Sequence, residues 1–363
     1  MFNGIYHDRR VLVTGHTGFK GSWLALWLTT LGADVVGYAL PAPTEPNHFD
    51  CLGLDLKSIA ADIRDEKKLI AVFKEHAPEI VFHLAAQPIV RASFQDPVET
   101  FSTNVLGTVH VLQAARACEK VRAVVNITSD KCYENREWPW GYRESDPVGG
   151  YDPYSASKGC AEIVTSCWRN SFFNPNLYGK SHRMLIASCR AGNVIGGGDW
   201  AVDRLLPDIV RAASHTEKVK LRNPQATRAW QHVLEPLSGY LLLGQKLLDG
   251  QAQFAEAWNF GPSEDGHATV DEIVDQARRW WPKIEAERCR TADQPHEADI
   301  LRLDCSKALV RLKWRPVWDA MTAVEKTILW YRGFYEGGRV ASADDLQSYL
   351  ADACRRKLVW AEA

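Results

Sequence analysis

The chain has 363 residues and a mass of 40.8 kDa, enough for one large α/β domain or two unequal ones. Its 46% hydrophobic and 24% charged residues are those of an ordinary globular chain and exclude a disordered, collagenous or coiled-coil protein. The 43 Lys and Arg nearly cancel 45 Asp and Glu, leaving a net charge of −2 with no basic stripe, so nucleic acid is not the expected partner.

An uncharged stretch over 21–33 has 13 residues, short of the ~20 that span a bilayer. The first residues run through His7, Asp8, Arg9 and Arg10 and offer no signal-peptide core. Nine scattered cysteines without a CxxC pair suit free thiols in a reducing compartment rather than a disulfide framework or a metal site. A cytoplasmic, membrane-free protein without a metal is expected.

In chain order, a β-branched run over 11–14 predicts a strand, and 20–31 predicts a helix ended by Gly32. A strand over 34–40, a helix over 66–77 and a strand over 80–84 follow. The pattern continues with a long helix over 97–117, a strand over 123–128, a helix over 154–170 and a strand over 184–190. This alternation predicts an α/β fold with a doubly wound parallel Rossmann sheet. Beyond Gly192 the texture changes. Glycines at 196–198 mark a loop, 203–214 a helix, Pro224 and Pro236 interruptions, and 263–281 and 320–335 further helices. The last ~25 residues read as a docked helix or a frayed tail. The expected division is 1–191 for the dinucleotide-binding domain and 192–363 for a smaller mixed α/β lobe that binds substrate and can return a strand and helix to the sheet.

Between the first strand and helix stands Gly15-His16-Thr17-Gly18-Phe19-Lys20-Gly21. Gly15 turns the chain off the strand, Gly18 lets backbone N–H groups approach a pyrophosphate at the helix N-terminus, and Gly21 lets helix pack on strand. The acid that usually accepts a hydrogen bond from the adenosine ribose is missing from the end of the second strand, so NAD and NADP are not separated there. Asp62-Ile63 reads either as an adenine contact or as a helix N-cap. Further on, Tyr154 and Lys158 stand at i and i+4 on one helix face. A phenol titrates near 10, and a nearby cation favours the phenolate that can take a hydroxyl proton.

With these residues the chain resembles the short-chain dehydrogenase/reductase superfamily, in its extended, nucleotide-sugar-modifying epimerase/dehydratase branch. The resemblance covers residues ~8–335 and includes the glycine loop, Asp62-Ile63, 83–86, Asn104, Tyr154/Lys158, 190–194 and 228–230. It implies NAD held by Gly15, Thr17, Gly18, Phe19, Lys20, Gly21, Asp62, Ile63, Leu84, Ala85, Ala86, Gln87, Asn104, Thr128, Tyr154 and Lys158. It implies a nucleotide-sugar held by Asn193, Arg204, Leu205, Lys220, Leu221 and Arg228, with Arg228 pairing the diphosphate. It also implies a homo-oligomer, dimer or tetramer, paired through helices near 97–117 and 154–170. An apolar face carrying Ile163, Val164 and Trp168 would suit that, or would pack on the sheet.

Ser129-Asp130-Lys131 is similar to the hydroxyl–acid–base series of the 4,6-dehydratases, in the form found in those acting on CDP-glucose, whereas epimerases of the branch carry no such acid/base pair. The implied chemistry is oxidation at C4, which acidifies the C5 hydrogen. Lys131 removes that proton, Asp130 protonates the departing C6 hydroxyl, Ser129 holds the C4 oxygen beside Tyr154, and hydride returns to C6. This requires a neutral Lys131 and a protonated Asp130, which burial favours. It also requires the backbone to leave strand geometry, since neighbouring strand residues face opposite ways. The product would feed deoxysugar synthesis for cell-surface polysaccharide such as O-antigen. Open alternatives are a nucleotide-sugar epimerase or decarboxylase, or a dehydratase for another nucleotide, because the nucleobase is not legible from these residues.

Overall fold

The computed structural model describes residues 1–221, 223–262, 266–289 and 301–362. Seven strands form one parallel sheet: β1 (Arg10–Thr14), β2 (Asp34–Ala39), β3 (Lys57–Ala60), β4 (Ile80–His83), β5 (Ala123–Ile127), β6 (Leu185–Ala191) and β7 (Ala257–Phe260). Their order is β7-β6-β5-β4-β1-β2-β3. Near-continuous apolar runs such as Val11-Leu12-Val13 and Ile80-Val81-Phe82 belong to strands covered on both faces. Alternate residues go to opposite layers. Leu12, Val36, Val81 and Val124 meet Leu69, Phe73, Val111 and Leu112 on one face of the sheet, whereas Val11, Val13, Phe82 and Val125 meet Trp23, Trp27, Leu237 and Leu241 on the other.

The helices relevant to the site are α1 (Phe19–Thr30), α2 (Glu66–His76), α3 (Gly107–Arg116) and α4 (Pro153–Ser171). The predicted helix over 97–117 is resolved into Pro97–Phe101, a π-helical turn Ser102–Leu106, and α3. The π turn carries Asn104, whose buried amide bridges to the neighbouring loop and to α4. Sequence reasoning passed over β3 because Lys-Ser-Ile-Ala is a mostly exposed edge strand without an apolar run.

The later residues build a second core from Leu206, Ile209, Trp230, Ile273, Trp281 and Trp330. Helix α5 (Leu205–Ser214) starts two residues later than expected, after Asp203 in left-handed conformation. Pro236 does not interrupt α6 (Leu234–Leu248): it sits in the first turn, where its missing N–H has no intrahelical partner to lose. α7 (Val270–Trp280) is shorter than the predicted 263–281, because a capping box of Thr269 and Glu272 begins it; residues 263–265 lie outside the described residues. α8 (Ala320–Gly337) matches its expected helix, and α9 (Ser342–Arg355) resolves the two readings of the C-terminal residues in favour of a docked helix. Tyr349 of α9 is buried, and Trp360 stacks on Phe2 at 5.3 Å.

Glu235 holds this end of the molecule together. Fully buried, it accepts hydrogen bonds from the Val317 N–H at 2.8 Å, the Trp318 N–H at 2.7 Å and the Tyr349 hydroxyl at 2.8 Å. Burial pushes its carboxyl up to about 7, above the ~4.3 of an unfolded Glu. The unfolded chain therefore loses this proton first as pH rises, so the group's contribution is fully present below pH ~4.3 and is lost toward about 7. We expect wild-type stability, relative to Glu235→Gln, to fall by roughly 3 kcal/mol across that window in urea titrations. A difference that is flat or rises with pH would overturn the assignment.

Candidate active site

The strand order reverses between β1 and β4, and a cleft opens there at the carboxyl ends of the strands, where doubly wound sheets bind ligands. Its volume is about 910 Å³, and residues from 15 to 270 line it. One end is the glycine loop. Gly15 has φ +76°, and a Cβ there would stand 2.7 Å from the Ala85 nitrogen. A Cβ on Gly21 would stand 2.0 Å from the Gly15 oxygen, so α1 could not approach the strand. Gly18 precedes the first turn of α1 with no side-chain cap, which leaves backbone N–H groups for an anion in the cleft. The cradle therefore fits a dinucleotide diphosphate. Thr17, Phe19 and Lys20 also line the cleft, and Thr17 Oγ1 donates to the Leu40 carbonyl at 2.8 Å.

Asp62 and Ile63 line the same cleft. The N-cap alternative does not hold, since Asp65 caps α2 by accepting from the Lys68 N–H at 3.0 Å. The Arg64 side chain donates to the Asp62 carboxylate at 2.6 to 3.1 Å and holds its pKa below the usual range. Near the end of β2, where an acid was missing, Tyr38 donates to the Asp62 carbonyl at 2.8 Å.

Leu84, Ala85 and Ala86 line the cleft, but Gln87 and Asn104 do not. Asn104 accepts from the Gln87 N–H at 2.8 Å and donates to the Gln87 carbonyl at 3.1 Å and Ser157 Oγ at 2.8 Å. With its amide satisfied in this way, Asn104 pins the 84–87 loop from behind rather than facing a ligand. His83 is likewise buried, between Thr14 and Thr108.

Tyr154 and Lys158 stand together on α4 and line the cleft beside Thr128, Ser129, Asp130 and Lys131. The sequence suggested that Lys158 lowers the phenol. In the structure burial dominates and pushes Tyr154 up to about 12, with the Ser129 hydrogen bond acting against it. Lys158 Nζ instead donates to the Ile127 carbonyl at 3.4 Å, and burial takes it down to about 8. After Ser129 the chain leaves the strand in a 3₁₀ turn, Asp130–Cys132, which puts Asp130 and Lys131 on the same cleft wall. Ser129 Oγ donates to the Asp130 carboxyl at 2.9 Å. Burial raises the Asp130 pKa, outweighing the opposing pull of Lys131, Ser129 and Lys20.

The opposite wall carries Asn193, Arg204, Leu205, Lys220, Leu221 and Arg228. Arg204 pairs with Asp199 at 2.9 Å. Together with Lys20 and Lys158, Arg204 gives the cleft a positive interior, and burial plus these like charges takes Lys20 down to about 8. Trp230, part of the 228–230 motif, and Asn223, which was not singled out from the sequence, also line the cleft. His16, inside the glycine loop, does not line the cleft. It is buried against Phe49 with its Nε2 2.7 Å from Ser58 Oγ, and burial lowers its pKa to about 4. A glycine-pattern reading has no means of ranking the intervening residues of the loop. Among the described residues no group of three or more His, Cys, Asp or Glu side chains could hold a metal ion.

Residues 12–327 match the family model described as GDP-mannose 4,6 dehydratase. The chain belongs to that family. It is 51% identical to a CDP-glucose 4,6-dehydratase of Salmonella typhimurium (strain LT2), over 96% of this chain and 98% of that protein. A dTDP-glucose 4,6-dehydratase of the same bacterium is 23% identical, over 89% and 92% of the two chains. Among solved structures, Epimerase Mth375 from Methanothermobacter thermautotrophicus superposes with a TM-score of 0.78 at 23% identity, covering 92% of this chain and 96% of the other. UDP-glucose 4-epimerase from Brucella ovis, in complex with NAD, has a TM-score of 0.73 at 21% identity, covering 88% and 97%. These two show a shared fold.

Proposed function

We propose that this family member is an NAD-dependent hydro-lyase that converts CDP-D-glucose to CDP-4-dehydro-6-deoxy-D-glucose and water. The observation that carries the reading is the Ser129–Asp130–Lys131 turn, which shares one cleft with Tyr154 in a chain 51% identical to a CDP-glucose 4,6-dehydratase. When bound, NAD supplies hydride chemistry, oxidising the sugar at C4 and restoring hydrogen at C6. The glycine loop would hold its diphosphate, and Leu84–Ala86 and Asp62-Ile63 would flank it.

Tyr154 takes the proton of the C4 hydroxyl, and Ser129 hydrogen-bonds the oxygen left behind. The C4 ketone acidifies the neighbouring C5–H, and Lys131 removes that proton. Asp130, whose pKa burial raises, donates its proton to the C6 hydroxyl, which departs as water. The C5 proton returns from Lys131, while the proton taken by Tyr154 balances the one given by Asp130. Arg204, Lys220 and Arg228 supply cations for the substrate diphosphate. Residues 1–191 would then bind mainly cofactor and 192–363 mainly nucleotide-sugar, with β7 returned to the sheet.

No described helix is long and apolar enough to cross a membrane, and a cytoplasmic site of action is part of the proposal. So is a homo-oligomer. Val98 (77% exposed), Ile163 (58%) and Leu106 (53%) leave an apolar face on the helices predicted to pair, although Val164 and Trp168 pack inward on the sheet core. The product suits deoxysugar synthesis for surface polysaccharide.

CDP-glucose deuterated at C4, incubated with enzyme and NAD, tests the proposal by mass spectrometry. Loss of one water with deuterium found at C6 is expected. Inversion at C4 without a mass change would make the chain an epimerase, and loss of carbon dioxide from a uronic substrate would make it a decarboxylase.

A further inference from the structure

Beneath the catalytic turn lies a buried ion pair that the reaction does not use directly. Glu162 follows Lys158 by four residues on α4, and Arg190 lies near the end of β6. Their side chains are 4% and 5% exposed, and neither lines the cleft. The Glu162 carboxylate accepts from Arg190 at 2.9 Å, Ser188 Oγ at 2.7 Å and the Thr128 hydroxyl. Arg190 donates with its other terminal nitrogen to the Tyr133 hydroxyl at 2.7 Å, and its guanidinium lies 4.8 Å over the Tyr133 ring. The Tyr133 hydroxyl donates onward to Asn259 Oδ1 at 2.8 Å.

Thr128 stands immediately before Ser129–Cys132, and Tyr133 immediately after. Both ends of the catalytic segment therefore hang from one ion pair. A buried pair adds little stability over an apolar substitute of the same shape, but its forked, directional hydrogen bonds fix geometry. Asp130 and Lys131 have to reach two adjacent sugar carbons while Tyr154 reaches a third position, so a small displacement of the turn separates the two halves of the reaction. Tyr154 has independent support: Asp152 caps α4 through the Ser155 N–H, and Ser93 Oγ accepts from the Tyr154 N–H at 3.2 Å.

We propose that Glu162 and Arg190 are positioning residues that hold the Ser129–Asp130–Lys131 turn in register with Tyr154, matching elimination to oxidation. The inference rests on the dehydratase reading above. Tyr133→Phe removes one suspension bond while keeping the ring, and Arg190→Lys keeps the charge while losing the fork. Turnovers of CDP-glucose are stopped by rapid quench with borodeuteride, and mass spectrometry separates oxidised sugar that still carries its C6 oxygen from dehydrated product. Both variants are expected to turn over about tenfold more slowly, with KM within about twofold of wild type and with the undehydrated keto-sugar accumulating. Unchanged turnover in both, or equal losses in oxidation and elimination, would overturn the inference. If Arg190→Lys does not fold, Tyr133→Phe decides alone. A wild-type enzyme that forms no keto-sugar would overturn the dehydratase reading itself, a result separable from the variants' behaviour.

Discussion

Tyr154→Phe is expected to stop the reaction before any keto-sugar forms, with turnover down by about a thousandfold or more. In the proposed mechanism the phenol accepts the C4 hydroxyl proton, and its removal would leave Ser129 as the hydroxyl at that part of the cleft. Burial pushes Tyr154 up to about 12, and the Ser129 hydrogen bond and the Arg204 charge are the neighbours that favour the phenolate. Affinity for the sugar nucleotide should be nearly unchanged, because Arg204 and Arg228 on the opposite wall are untouched. Isothermal titration with CDP-glucose would establish that, and rapid quench would establish the absence of keto-sugar. Substantial oxidation by the variant would move the base elsewhere.

Lys131→Ala should fail at the next step. Oxidation is expected to proceed to about one equivalent of undehydrated keto-sugar per enzyme, while overall turnover falls about a thousandfold. Asp130 is disfavoured as a stand-in base, since burial raises its pKa against the opposing pull of Lys131, Ser129 and Lys20. In deuterium oxide the wild type should exchange the C5 hydrogen during turnover, and the variant should not. The pair of variants thus divides the reaction at the ketone: one forms no ketone, and the other accumulates it. Full activity in Lys131→Ala would refute the base assignment and, with it, the role given to the 3₁₀ turn.

The sheet was legible because its strands carry runs that only a doubly covered strand would bury, as in Val11-Leu12-Val13 and Val124-Val125. β3 escaped notice because an exposed edge strand needs no such run. The glycine loop and the Tyr154/Lys158 pair were legible for a different reason. Each is a local constraint, a turn or a helix face, written into spacings of a few residues. Asn104 shows where local reasoning stops: the family resemblance implies a ligand contact, and only the fold shows that two backbone bonds to Gln87 and one to Ser157 pin the neighbouring loop.

The amino-acid order was enough to place the glycine loop after β1 and to set Tyr154 and Lys158 on one helix, since helix pitch, strand alternation and glycine stereochemistry act over short range. Their protonation and register depended on distant parts of the chain. Lys20 from the first loop, Asp130 after β5 and Arg204 ahead of α5 influence one another only because the folded sheet brings them to one cleft. Burial then outweighs the neighbouring charges at Asp130 and Tyr154. The same holds for Glu162 and Arg190, 28 residues apart, whose pairing across α4 and β6 suspends the catalytic turn. Desolvation and long-range pairing have no signature in local sequence, because both are properties of what surrounds a side chain after the chain has closed around it.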